Sequence, residues 1–238
     1  MGAIDEKWLE NLSERGAQAP ERKCSMRLYE KYRPAHLADV RGQTKAVAQC
    51  ERLIKAGLGS RAVWVSGASG TGKTTLAWIL ARSLADDFAI EEVDASEITP
   101  SRLKELEQTM CLAGWGRGGR AYIVNEAHHL KPSAVTQLLV LLERLPKHVC
   151  IIFTCTRAGF LEFEEGHLDA GPLLSRCLQV SLTNQGLADP FAAYAMEIAT
   201  KESLGGKPLE AFKKAAQNCK NNMRALLQLV ESGEFLAA

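Results

Sequence analysis

The spacing of apolar and polar positions divides the chain near residue 183. Before that point, short apolar runs rich in β-formers recur between amphipathic stretches. "RAVWVSG" (61–67), "FAIEEVDAS" (88–96), "AYIVN" (121–125), "HVCIIFTCT" (148–156) and "RCLQVSL" (176–182) read as strands. The fourth is almost wholly apolar, as expected of a central parallel strand covered on both faces. Between the strands, Leu76, Ile79, Leu80 and Leu84 fall on one helical face, and "SRLKELEQTM" (101–110) reads as a polar helix. "KPSAVTQLLVLLERLP" (131–146) opens at Pro132 and sets Val135, Leu138, Leu139, Leu142 and Leu145 on one stripe. "GWGRGG" (114–119) is a loop by composition. Strands alternating with helices predict the α/β class, with a doubly wound parallel sheet. Beyond residue 183 only helical patterns remain, ending in "NNMRALLQLVESGEF". The expected division is a polar, partly helical extension at 1–26, an α/β domain at 27–182 and a small all-α domain at 183–238.

Composition narrows the classes. A chain of 238 residues, 46% hydrophobic and 24% charged, can bury one large core and a small satellite. The 29 Lys and Arg balance 28 Asp and Glu, so any nucleic acid would be gripped by a local stripe of charge. The seven cysteines, Cys24, Cys50, Cys111, Cys150, Cys155, Cys177 and Cys219, form no C-x-x-C pair, so no zinc ribbon is indicated. Their odd, scattered placement argues against a disulfide framework. Cys150 and Cys155 read as buried reduced thiols, and a cytoplasmic location is expected. The N-terminus lacks the basic flank and apolar core of a signal peptide, and Glu6 stands where a myristoylation signal has Ser or Thr. No apolar run approaches membrane-spanning length, so no membrane partner is expected.

The chemistry concentrates in two stretches. "GASGTGKTT" (67–75) fits G-x-x-x-x-G-K-[ST] and lies between a strand and a helix, the context that pattern requires. Gly67, Gly70, Thr71, Gly72, Lys73, Thr74 and Thr75 are the candidate phosphate binders. Glycines let backbone N–H groups wrap the phosphates, Lys73 reaches the β and γ oxygens, and the Thr74 hydroxyl ligates magnesium. The second stretch is "AYIVNEAHHL" (121–130). Such a strand normally delivers an aspartate to the water shell of magnesium and then a glutamate that activates the attacking water. Here Asn125 takes the first place and Glu126 the second. The amide keeps a carbonyl acceptor but loses the charge, so magnesium binding should weaken without being abolished. "NEAH" also looks like the DEAH box of helicases, which need two RecA-like lobes where this chain has room for one. His128 and His129 are expected in a solvated or capping role rather than as metal ligands.

These blocks sit in a larger ordered set. "EKYRPAHLADVRGQ" (30–43), "GASGTGKTT", "EEVDAS", the run from "AYIVNEAHHL" to "CIIFTCT", "LLSRCLQVSL" and "NNMRALLQLV" resemble, in order, the motifs of clamp-loader ATPases of the AAA+ superfamily. The resemblance, to the bacterial gamma/tau subunit and replication factor C small subunits, covers the chain from about residue 27 onward. It implies a RecA-like domain with a helical lid, binding ATP and magnesium at subunit interfaces. By the same resemblance, Tyr32, Arg33, Pro34 and Val40 would line the adenine pocket. Thr156 would be sensor 1, placing the water, and Arg224 would be sensor 2, reporting the phosphate to the lid. Arg176 would be an arginine finger reaching a neighbour's site; its alternative is a surface salt bridge. Implied partners are other AAA+ subunits, DNA, and a sliding clamp or other replication protein, in a bacterial or viral setting rather than a nucleus.

The departures are informative too. The chain has no four-cysteine zinc module and no helical collar after the lid, so assembly would rest on ATP-bridged contacts and partners. The 156–175 loop is long and acidic, with Glu162, Glu164, Glu165 and Asp169. For DNA, the resemblance points to Ser101, Arg102 and Lys104, with Arg117 and Arg120 nearby; phosphate contact and a plain solvated face are both open. The expected function is a slow clamp-loader-like ATPase, with an ATP-gated binding or scaffold module as the alternative.

Overall fold

The computed structural model describes residues 26–112, 116–156 and 171–236. The expected N-terminal extension (apart from residue 26) and most of the acidic loop lie outside the described residues. Five described strands, β1 Arg61–Gly67, β2 Ile90–Asp94, β3 Arg120–Asn125, β4 Val149–Thr156 and β5 Cys177–Ser181, pair in parallel in the order β2-β3-β4-β1-β5. The apolar run of β4 takes the middle of the sheet, with every residue buried except the half-buried Thr156 at its tip. Strands β2 and β5 close the two edges, and each has one fully buried residue, Val93 and Val180.

Helices α1 Leu28–Lys31, α2 Thr44–Ala56, α3 Lys73–Leu84, α4 Pro100–Met110, α5 Pro132–Glu143 and α6 Gly171–Ser175 connect and flank these strands. One sheet face packs Trp64, Tyr122, Ile151 and Phe153 against Leu103 and Leu106 of α4 and Leu138 and Leu142 of α5. The other packs Val63, Val65, Ile123 and Ile152 against Cys50 of α2 and Leu76 and Leu80 of α3. This is the two-sided cover of a doubly wound fold. Proline opens both α4 and α5, and the Thr99 hydroxyl accepts from Arg102 N–H at 3.2 Å to cap α4.

The second strand is shorter than the 88–96 the pattern suggested. Asp87–Ala89 forms a 3-10 turn ahead of it, and the Asp94 carboxylate accepts from Ser96 N–H at 2.9 Å, turning the chain into a second 3-10 turn at Ala95–Glu97. Local side-chain bonding overrides β-propensity there. Among the described residues no strand of the sheet follows β5. Helices α7 Ala188–Lys201, α8 Leu209–Asn218 and α9 Met223–Glu231 gather around Phe191, Phe212, Leu226 and Phe235, and Leu28 of α1 joins that core.

Candidate active site

The loop after β1 turns sharply into α3. Gly70 and Gly72 have φ of 72° and 103°, which a side chain would strain. The Thr71 hydroxyl donates to Ala68 O at 2.7 Å, closing the loop, and Lys73 Nζ donates to the same carbonyl at 3.1 Å. Lys73 is only 7% exposed, and burial holds its ammonium below the ordinary lysine value. An ammonium so desolvated, beside the first turn of α3, is primed for an anion.

Across the loop, at the end of β3, Asn125 is held on three sides. Its Oδ1 accepts from Thr74 Oγ1 at 3.3 Å and from Thr154 Oγ1 at 3.0 Å. Its Nδ2 donates to Glu92 on β2, whose other carboxylate oxygen accepts from Trp78 Nε1 at 2.7 Å. The next residue, Glu126, adopts a left-handed backbone (φ 50°, ψ 51°), a conformation that costs free energy and tends to mark functional sites. Glu126 Oε2 is buried with no hydrogen-bond partner, 3.5 Å from His128 Nδ1. The expectation of a solvated or capping His128 is therefore corrected. Its side chain is 11% exposed and faces Glu126 and, at 3.8 Å, the Cys155 thiol, because the 3-10 turn at Ala127–His129 folds it back over the strand ends. Burial and Glu126 push the Cys155 thiol up to about 12, so it stays protonated.

One pocket gathers most of the expected site residues. Tyr32, Arg33, Pro34 and Val40 line one side; Gly70, Thr71, Gly72, Lys73, Thr74 and Thr75 form the floor; Glu126 and Arg224 face it. Gly67 and Thr156 pair at the strand tips just behind, and Asn125 reaches the site through Thr74. Arg176 is elsewhere: it is exposed and bonds Glu143 of α5 at 2.6 Å, so within one chain it makes the surface salt bridge weighed as its alternative. The expected DNA-facing cations are mostly engaged within the chain. Arg102 pairs with Glu91 and Glu105, Arg117 with Asp86 and the Arg82 carbonyl, and Arg120 with the Leu112 carbonyl; Ser101 and Lys104 are exposed.

Tyr29 and Tyr194 also line the pocket, and Gln43, at the end of the 30–43 block, bonds its phosphate loop. The Arg224 guanidinium lies 5.3 Å over the Tyr29 ring, and Tyr194 donates its hydroxyl proton to Tyr32 O at 2.8 Å. Gln43, 2% exposed, accepts from Thr183 N–H and donates to Thr183 O, each at 3.0 Å, and its amide also reaches Thr71 O. It ties the phosphate loop to the chain leaving β5. The C-terminal helices are tied to it directly: Met223 N–H donates to Gly70 O at 3.1 Å, and Asn222, which caps α9, abuts Gly70.

Magnesium fits the donors present. Thr74 and Asn125 set two neutral oxygens 3.3 Å apart, suited to a hard cation shared with phosphates. Among the described residues no group of His, Cys, Asp or Glu could hold a metal by itself. Nor is any described helix long and apolar enough to cross a membrane.

Comparison with known proteins points to the same fold. The TIP49 P-loop domain family matches residues 30–115. The DNA polymerase III subunit gamma/tau of Mycobacterium bovis is 32% identical over 156 residues, covering 55% of this chain and 27% of that protein. The replication factor C large subunit of Methanocella arvoryzae is 35% identical over 106 residues, covering 42% of this chain and 19% of that one. The chain thus spans well under half the length of either relative. Among solved structures, the RuvB Holliday junction branch migration motor of Thermotoga maritima superposes with a TM-score of 0.62 at 20% identity, over 84% of this chain and 64% of RuvB. A likeness at that identity concerns the RecA-like fold. The fold, the phosphate loop and these relatives together make the chain an AAA+ P-loop protein, of a superfamily whose members are generally ATPases, resembling the DNA polymerase III gamma/tau and replication factor C subunits.

Proposed function

We propose that residues 27–182 are an ATP-binding domain and 183–238 its lid, and that the chain hydrolyses ATP slowly at interfaces with other AAA+ subunits to assemble or remodel a protein–DNA complex in replication or repair. The observation that supports this best is the single pocket in which Lys73, Thr74, Glu126 and Arg224 converge from the loop, the strand end and the lid. Gly70 to Thr75 cradle the phosphates with backbone N–H groups, Lys73 swings from the Ala68 carbonyl to the β and γ oxygens, and the Tyr32–Val40 wall holds the base. A bound magnesium ion, held by Thr74 and through water by Asn125, would neutralise phosphate charge. Glu126 Oε2, buried and unbonded, accepts the proton of the water that attacks the γ-phosphate, with Thr156 aligning that water. Arg176 leaves Glu143 to stabilise charge at a neighbour's phosphate, typically worth about 10³ to 10⁵ in rate.

A second reading, an ATP-gated binding module with little hydrolysis, is favoured by the uncharged Asn125 at the metal side. Single-turnover hydrolysis, measured alongside binding of a fluorescent ATP analogue, decides between them. Lys73→Ala should abolish tight binding. Glu126→Gln should keep binding and lower hydrolysis about 10²- to 10⁴-fold. Wild-type protein that binds the analogue but turns over no faster than Glu126→Gln would establish the second reading.

A further inference from the structure

Thr74 and Trp78 lie one turn apart on α3, and they meet Asn125 and Glu92 on the adjacent strands, so that four side chains close a chain of hydrogen bonds: Thr74 to Asn125 Oδ1, Asn125 Nδ2 to Glu92, Trp78 Nε1 to Glu92. Asn125 and Glu92 share one sheet face because Glu92 pairs in register with Ile123, two residues before Asn125. An amide, unlike a carboxylate, has a right and a wrong end. With its carbonyl toward Thr74 it offers a lone pair to a hydrated cation; flipped, it would offer N–H protons. Thr154 favours the first orientation by donating to Oδ1, but a threonine hydroxyl can also accept a bond and so tolerates either end. Glu92 cannot: an ionised carboxylate only accepts, and Trp78 Nε1–H, which only donates, fixes where that carboxylate sits.

We infer that Glu92 is a positioning residue for the metal side of this site: it locks the Asn125 amide with its carbonyl toward Thr74, and the asparagine and Glu92 work as a matched pair. The inference rests on the proposed ATP and magnesium site and names the part of it that replaces the usual acid. Placing a carboxylate at position 125 alone would therefore set two negative groups in contact, and repulsion would turn one of them away.

The test is a double-mutant cycle of Glu92→Ala and Asn125→Asp, read by calorimetric titration of magnesium chloride into protein saturated with a non-hydrolysable ATP analogue. Analogue binding in EDTA is the control. Outer-shell partners of a metal site are typically worth about 10- to 100-fold in metal affinity, and for the exposed Glu92 the lower end is expected. Glu92→Ala should weaken magnesium about tenfold with analogue binding in EDTA unchanged, and in the Asn125→Asp background the same substitution should strengthen magnesium. A merely structural role predicts the same sign in both backgrounds, and that result would overturn the pairing. Loss of analogue binding in EDTA on Glu92→Ala would overturn it as well. If the wild type binds no analogue at all, the nucleotide site itself fails and this inference goes with it, a result plainly different from an additive cycle.

Discussion

Gly70 sits where three demands meet: a φ of 72°, a carbonyl that accepts from Met223 N–H, and Asn222 so close that an added Cβ would lie 1.9 Å from its Oδ1. Gly70→Ala should therefore cost roughly 1–2 kcal/mol for the left-handed backbone alone, about a tenfold loss of ATP affinity, measurable with a fluorescent analogue. The buried thiols make a second residue-scale prediction. Cys150 and Cys155 have no exposure, and burial is the main cause that pushes each from an ordinary 9.0 up to about 12. Below pH 9.0 both folded and unfolded chains hold these protons, and the stabilisation is complete. Above it the unfolded chain releases protons that the folded chain keeps, so stability should fall with rising pH, by up to about 1.4 kcal/mol per pH unit for each thiol. Urea melts at pH 8 and above pH 10, compared for wild type and Cys150→Ala, would show the slope and its reduction. The positions of the phosphate loop, Asn125 and Glu126 could be singled out in the sequence because each belongs to a pattern of neighbours along the chain. The contacts of Gln43, Tyr29 and Glu92 could not, although Gln43 and Glu92 lie within the 30–43 and "EEVDAS" blocks, because each meets a partner that only the fold brings near: Thr183, Arg224 and Asn125 respectively.

Apolar runs located the strands at the level of elements, since β1, β3, β4 and β5 differ from the pattern reading by at most a residue at either end. The second strand was overread because hydropathy is blind to the Asp94–Ser96 bond that ends it, although the "DAS" triplet carries that turn chemistry. Among the C-terminal helices, the Phe212 ring on α8 stacks on Phe235 beyond α9 with centroids 3.9 Å apart and an 11° tilt, and both are buried. Phe235→Ala should cost about 3–5 kcal/mol, since the cavity forms in a small core with few neighbours able to collapse into it. A denaturant melt followed by circular dichroism would measure it. Phe88→Ala, a control at a 72% exposed position, should change stability by less than about 0.5 kcal/mol.

For the whole molecule, Arg176 separates what one chain needs from what an assembly needs. Its pair with Glu143 lies at the surface, where such contacts contribute about 0–1 kcal/mol, so Arg176→Ala should melt within a degree or two of wild type. ATP turnover under assembling conditions should nevertheless fall, on the proposed trans role, by about 10³-fold or more. A mutant as active as wild type would remove Arg176 from the chemistry. The bond from Met223 N–H to Gly70 O has a use of its own. It crosses from the C-terminal helices to the phosphate loop, so that on the proposed lid role one amide proton is shielded while the two are closed. Its deuterium uptake is therefore a clock for lid opening, readable at a single residue in an otherwise unlabelled protein. Uptake at Met223 should slow on ATP binding and quicken with ADP, and the ratio of the two rates gives the free energy that the γ-phosphate commits to holding the lid shut.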